Sequence, residues 1–301
     1  MPFFLIKGKY MPGAGEPDGD SVRFAADNLE LWKKLEGKPA KVSQSGPTKG
    51  TVQLRLEGID AIEKGATKPL SVQAKDSLLK ALGHSAANPT PAGYILARMT
   101  DDQSGRPICF VFAGAATERD GAEVTLSAAR LKSSANYKQM KAGFAYPLYY
   151  NTLFADLRKQ FTIGHAEAKS AAVGYFAKKN GAPLDRTLKG VTVNSLANLA
   201  TIAPIWPKLW RRLEEHFKKP GARLSGLPAF LATKNERLDI LSLMEERGLQ
   251  DIVKVQGSTV TMLIAPEDIR VVGDAGKRVR GGSVTGKASG GVKAKAAGAG
   301  S

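Results

Sequence analysis

The chain opens with short stretches in which apolar and polar residues trade places at a period near two. PFFLIKG, SVRF, TVQLRLEG, YILARM and RPICFVF are separated by Gly-, Pro- and Asp-rich turns, so they predict five strands within residues 1–112. Between the third and fourth, SVQAKDSLLKAL carries Val72, Leu78, Leu79 and Leu82 at helical spacing, which predicts one inserted helix. Five strands with a helix among them suit a small closed barrel of the OB type. From about residue 125 to 180 the period is helical. Leu153, Leu157 and Phe161 fall at i, i+4 and i+8, Ala168, Ala172, Tyr175 and Phe176 extend the apolar face, and Gly164 marks an expected break or kink. AYPLYYN, between the helical stretches, is expected to begin with an irregular Pro-containing turn.

GAPLDRTLKG (181–190) reads as a linker. Beyond it, residues 191–272 predict an accessory α+β domain or an appendage packed on the first. Helices are expected in SLANLATI, WPKLWRRLEEHFKK and NERLDILSLMEERG, and a hairpin in DIVKVQGSTVTMLIA. From Gly273 the composition changes: nine glycines and six Lys or Arg with almost nothing to bury read as a disordered basic tail, 273–301. The expected fold class is therefore α+β, with a five-stranded OB-fold barrel and packed helices in residues 1–180, a small C-terminal α+β region, and the tail.

Charge changes the picture more than size does. Among 301 residues, 44 Lys and Arg stand against 28 Asp and Glu, a net +16 that implies a polyanionic partner, nucleic acid or an acidic surface. Cys109 is the only cysteine, which excludes an intrachain disulfide and a thiolate zinc site; within ICFVF it reads as a small buried hydrophobe. No apolar run approaches the ~20 residues of a membrane span, and MPFFLIKGKY reads as a first strand rather than a leader. A reduced, cytoplasmic setting without membrane contact is the expectation.

Three charges then gather where the third strand gives way to a loop, in VQLRLEGIDAIEKG: Arg55, Asp60 and Glu63, spaced R-x4-D-x2-E. Such a spacing arises by chance in about 6% of chains this long, so it counts only in company. EPDGDSVRF supplies Asp18-Gly19-Asp20 at an earlier strand end, and DDQSGRPICF supplies Arg106 after Gly105. A D-G-D tripeptide suits a tight turn, and a loop carboxylate suits solvent. Equally, two carboxylates at adjacent strand ends offer the hard oxygens that Ca²⁺ or Mg²⁺ prefers. Glu63 is placed to orient or deprotonate a water, and two guanidinium forks would grip a phosphodiester. Gly105 would let the backbone beside Arg106 approach a ligand closely.

The ordered series DGDSVRF, RLEGIDAIE, DDQSGRP, GFAYPLYY and AEAKSAAVGYF resembles the motifs of the staphylococcal nuclease (thermonuclease) family over roughly residues 3–178. The resemblance implies an OB-fold barrel and Ca²⁺-dependent hydrolysis of DNA and RNA, with Mg²⁺ as the alternative ion. By motif position it implies metal binding by Asp20, Asp60 and the Ala61 carbonyl, water activation by Glu63, and phosphate binding by Arg55 and Arg106. Tyr146 falls on a nucleotide-contacting tyrosine, with Tyr149 or Tyr150 as another. The sequence departs from the pattern in having Ser21 for threonine, Ile62 for proline, Gln103 and Ser104 for lysine and tyrosine, and an insertion over 26–50. Ile62 is expected to loosen the turn that carries Glu63.

Two other readings stand beside the nuclease. One is a non-catalytic nucleic-acid-binding or scaffold protein on the same fold; the other is a regulatory protein that binds a partner or inhibitor through residues 191–272. His84, His165 and His216 show no ligand spacing. Trp206, Trp210 and Phe217, interleaved with Lys208, Arg211 and Arg212, suit either a core-facing amphipathic helix or base stacking on a basic one.

Overall fold

The structure, a computed structural model, describes residues 2–273; the basic tail expected from the sequence lies, from residue 274 on, outside the described residues. The fold is mixed α+β. Its first half is a nearly closed, barrel-like sheet of strands β1 (Phe3–Tyr10), β2 (Arg23–Ala26), β3 (Val52–Gln53), β4 (Arg55–Leu56), β6 (Ala92–Thr100) and β7 (Pro107–Ala113), hydrogen-bonded in the order β3-β2-β1-β6-β7-β4. Six segments appear where five strands were expected because TVQLRLEG divides at Leu54. On one side of it β3 pairs antiparallel with β2, and on the other β4 pairs parallel with β7, so the two ends of the sheet are neighbours in the chain. Leu54 itself is buried, and its N–H donates to the Val22 carbonyl (2.9 Å). Leu5, Phe24, Leu54, Leu96, Phe110 and Phe161 are among the residues that fill this first core.

Strand β5 (Ile59–Ala61) follows the positive-φ turn at Gly58, and helix α1 (Leu70–Ala81) follows it between β5 and β6. Its buried side runs Leu70, Ala74, Leu78, with Leu82 buried just beyond the helix end; Val72, expected on that face, is 44% exposed. The short strand β8 (Glu123–Val124) pairs with β1, and α2 (Ala128–Ser133) and α3 (Ala135–Lys141) each start on a serine cap, Ser127 and Ser134. AYPLYYN holds no irregular turn at its start. It forms β9 (Ala145–Pro147), antiparallel to β5, and β10 (Tyr149–Tyr150). Helix α4 (Ala155–Ala171) runs unbroken through Gly164, where a Cβ would come within 2.9 Å of the Tyr137 ring; the glycine is there for close packing rather than a kink.

The expected linker, 181–190, packs against an apolar core drawn from both sides of it. GAPLDRTLKG is ordered: Ala182–Pro183 (β12) pairs with Lys178–Lys179 (β11), and Asp185 accepts hydrogen bonds from Tyr146 Oη (2.8 Å) and Thr187 Oγ1 (2.6 Å). One apolar cluster joins Ile62, Tyr146, Leu148 and Tyr175 to Trp206, Leu209, Leu227 and Ile269, residues on both sides of the expected linker. After β13 (Val191–Thr192) and the short α5 (Leu196–Leu199), helix α6 (Pro207–Phe217) takes the core-facing orientation, with Trp206, Leu209, Trp210 and Leu213 buried. Helix α7 (Leu227–Thr233) was not read from the sequence. NERLDILSLMEERG is not helical. It makes a hairpin of β14 (Arg237–Ile240) and β15 (Glu245–Gly248), because Leu238 and Ile240 alternate into the core and β14 lies between β15 and the last strand, β18 (Ile269–Val271). The expected hairpin forms β16 (Val253–Gln256) and β17 (Thr259–Met262). Strand β18 pairs parallel with β10, which ties the end of the described chain to the first half. Among the described residues no helix is long and apolar enough to cross a membrane.

Candidate functional site

Arg55 enters the site from β4, where it stands opposite Ile108 of β7. Its Nη2 donates to Tyr150 Oη (3.0 Å), and its guanidinium lies 5.2 Å from the centroid of that ring, so one tyrosine both accepts from the arginine and supports its flat face. Asp20 is held beside the same strand: its carbonyl accepts from Leu56 N–H (3.0 Å), and its Oδ2 accepts from Ala61 N–H (2.7 Å). Asp60 sits on β5 opposite Tyr146 of β9, and Glu63 follows in a turn closed by Ala66 N–H to the Glu63 carbonyl (2.8 Å). Two stretches of the sequence, one at residue 20 and one at residues 55–63, thus deliver three carboxylates and one arginine to one place.

Their electrostatics reflect that proximity. Burial pushes the Asp20 carboxyl well above the usual carboxylate range, and the charges of Asp18, Asp60 and Glu63 push it further, against the Ala61 hydrogen bond that lowers it. Burial also raises Glu63, while Arg211 draws it back down and Asp60 adds repulsion. Close carboxylates in a sheltered place call for positive charge.

That charge comes from α6. Arg211 sets its fork on Asp60, Nη1 to Oδ1 at 2.8 Å and Nη2 to Oδ2 at 2.9 Å, and Nη1 also donates to Glu63 Oε1. The helix is anchored by its tryptophans: Trp206 Nε1 donates to the Pro147 carbonyl (3.0 Å) and Trp210 Nε1 to the Leu199 carbonyl (3.1 Å). Ile62 packs in the same core, 4% exposed, so the turn carrying Glu63 is not loosened by the missing proline. Ile62 and Ala66 both belong to the apolar cluster shared with the C-terminal region, and Thr67 Oγ1 donates to the Ile202 carbonyl (2.8 Å), so several contacts dock the turn there.

Arg106 stands two residues before Ile108, on the loop that precedes β7. Its Nε reaches Asp101 Oδ2 (3.4 Å) and Ser104 Oγ (3.2 Å), and Ser104 Oγ donates to the same carboxylate oxygen (2.5 Å). Burial would raise Asp101, but the Ser104 hydrogen bonds and the charges of Arg106 and Arg55 hold it below its ordinary value. One carboxylate thereby feels both arginines and orients the second. Gly105 has φ +70°, and an added Cβ would lie 2.7 Å from the Pro39 carbonyl oxygen. The close approach at Gly105 is to the 26–50 insertion, whose Lys41 N–H donates to the Gly105 carbonyl (3.1 Å).

Of the three tyrosines, only Tyr150 meets the site. Tyr146 and Tyr149 are 1% and 0% exposed; the first donates to Asp185, and the second shares a hydrogen bond with Thr162 Oγ1 (3.0 Å). Both are core residues, because β9 and β10 run between α4 and the second core. Arg211 and Asp101 were not read from the sequence. WPKLWRRLEEHF marks an amphipathic helix, but nothing in it reveals which arginine would meet Asp60, 151 residues earlier.

The calcium implied by the resemblance meets donors of the right chemistry but not free ones. Both Asp60 oxygens are taken by Arg211, Glu63 is engaged by the same guanidinium, and Asp20 Oδ2 is turned to the Ala61 amide. Among the described residues no group of three or more His, Cys, Asp or Glu side chains is gathered to hold a metal ion. In this arrangement the residues do not fit the ion. In comparisons with known proteins, no family model matches the chain and no curated protein matches it.

Proposed function

We propose that the chain is a nuclease of the staphylococcal type on an OB-fold barrel, acting on the phosphodiester bonds of DNA or RNA, with Ca²⁺ as the cofactor the resemblance implies. The observation that carries the reading is the gathering of Asp20, Asp60, Glu63 and Arg55 at one place from separate parts of the chain. The net charge of +16 supports a polyanionic substrate. Arg55 and Arg106 bind the non-bridging oxygens and stabilise the charge that grows on them, Arg55 pre-oriented by Tyr150 and Arg106 by Asp101. Glu63, its basicity raised by burial, takes a proton from water as the water oxygen bonds to phosphorus. The opposite phosphorus–oxygen bond breaks in line, and the departing oxygen takes a proton from solvent water. The resemblance implies a 3′-phosphate and a 5′-hydroxyl as products.

One observation favours the second reading, a protein that binds nucleic acid without cutting it: Arg211 already engages Asp60 and the base, Glu63. A single assay separates the two. Full-length protein is incubated with single- and double-stranded DNA and with RNA, in Ca²⁺ or Mg²⁺ and then in chelator. A nuclease gives cleavage that chelator stops and that the double variant Glu63→Gln, Arg55→Ala lacks. Binding with no metal-dependent cleavage, or cleavage undiminished in the double variant, rejects the nuclease.

A further inference from the structure

Asp60 has both oxygens in one guanidinium fork, and the same guanidinium holds Glu63. A bidentate pair of this kind is the strongest hydrogen-bonded arrangement that a carboxylate makes with a side chain. The arginine reaches it from a helix that cannot easily withdraw, since Trp206, Leu209, Trp210 and Leu213 of α6 are all buried in the core that also holds Ile62 and Tyr146. On either side of Arg211 in α6, Lys208 (2.5 Å) and Arg212 (2.7 Å) pair with Glu236 Oε1, so these two basic residues are engaged within the C-terminal region. Arg211 alone crosses to the barrel.

A divalent cation at these carboxylates needs lone pairs pointed at it from 2 to 3 Å, and an oxygen that accepts from a guanidinium N–H has turned one of those lone pairs away. The same positive charge lies on both Asp60 and Glu63 and offsets the repulsion between them that a metal would otherwise relieve. We infer that Arg211 is the resident cation of this site: the C-terminal region supplies by a tethered guanidinium the charge that a divalent ion would bring, and it competes with that ion for Asp60 and Glu63. The inference rests on the proposed function only in treating Asp20, Asp60 and Glu63 as one cation-holding set. Because α6 is fixed by its tryptophans, the moving part is the Arg211 side chain and not the helix. Residues 191–271 are then part of the site's chemistry and not an appendage to it.

The test is a titration with Ca²⁺, and with Tb³⁺ as its luminescent substitute, of the full chain, of Arg211→Met, and of Arg211→Met combined with Asp20→Asn. Arg211→Met should bind the ion about tenfold or more tightly than the wild type, since ligand charge tunes such sites over decades, and Asp20→Asn should remove the gain. Equal affinity in wild type and Arg211→Met overturns the inference, as does a gain that survives Asp20→Asn. Should the methionine variant not fold, the side-chain Nε–H resonance of Arg211 is followed in the ¹⁵N-labelled wild type during the Ca²⁺ titration. Ion binding that leaves that signal unmoved overturns the proposal; a signal that shifts in step with binding, or a site that takes no ion while the signal stays put, supports it. Failure of the nuclease reading appears separately, as absence of cleavage in an Arg211→Met protein that does bind Ca²⁺.

Discussion

Glu57, two residues from Arg55, makes the stability of this protein depend on pH in a direction that can be worked out. Its backbone is fixed on both sides: its N–H donates to the Cys109 carbonyl (2.9 Å), and its carbonyl accepts from Asn136 Nδ2 (3.0 Å). The side chain is buried beside Phe3, Arg98, Phe110 and Phe154. Burial pushes the carboxyl from 4.5 up to about 7, against the opposing pull of Arg55 and Arg98. The folded protein therefore keeps a proton that the unfolded chain releases near pH 4.5. Stability from this group is intact below that pH, falls as the pH rises to about 7, and is level above it. The size of the fall is about 3 kcal/mol.

Glu57→Gln isolates the effect. The amide brings its own cost of burial, but that cost does not vary with pH. The difference in unfolding free energy between variant and wild type should therefore move by about 3 kcal/mol in the variant's favour between about pH 4.5 and about pH 8. Denaturant titrations at half-unit intervals measure it directly. Parallel stability curves for the two proteins would show that Glu57 is not buried as a neutral acid, and the reasoning would fail.

Two further outcomes follow from the shared core and the arginine cradle. Trp206→Ala should cost about 3–5 kcal/mol, and Trp206→Phe, which leaves the Pro147 carbonyl without its donor, about 1–3 kcal/mol. In both variants the barrel and the C-terminal region should melt in one transition by calorimetry; two separate transitions would contradict a common core. Tyr150→Phe removes the acceptor for Arg55 and should weaken binding to a short single-stranded oligonucleotide by about fivefold. Tyr146→Phe should lower the melting temperature and leave that binding unchanged, and a reversal of the two phenotypes would place the substrate on the other tyrosine.

What could be read in advance, and what could not, divides along the range of the interactions involved. Alternation and turn residues placed the strands of the first half, because the period-two signal is local. They missed the division of TVQLRLEG at Leu54, which depends on β2 and β7 competing for one short segment. The site carboxylates and Arg55 were legible as an ordered set, and the structure brings them together. NERLDILSLMEERG was misread because Leu238 and Ile240 fit a helix as well as a strand when their neighbours β15 and β18 are unknown. The same blindness hid Arg211. Its neighbours Arg212 and Lys208 are chemically almost alike, and only the fixed rotation of α6, set by Trp206 and Trp210, decides that Arg211 meets Asp60 while the other two meet Glu236. A resemblance that ends near residue 178 could not have supplied it. Ile62 belongs to the same account: what reads locally as a lost proline is a side chain buried in the core shared with the region from which Arg211 comes. Ile62 joins the Glu63 turn to the C-terminal region through a shared apolar core and Arg211 joins it through an ion pair, so the motif could be understood only with residues beyond it.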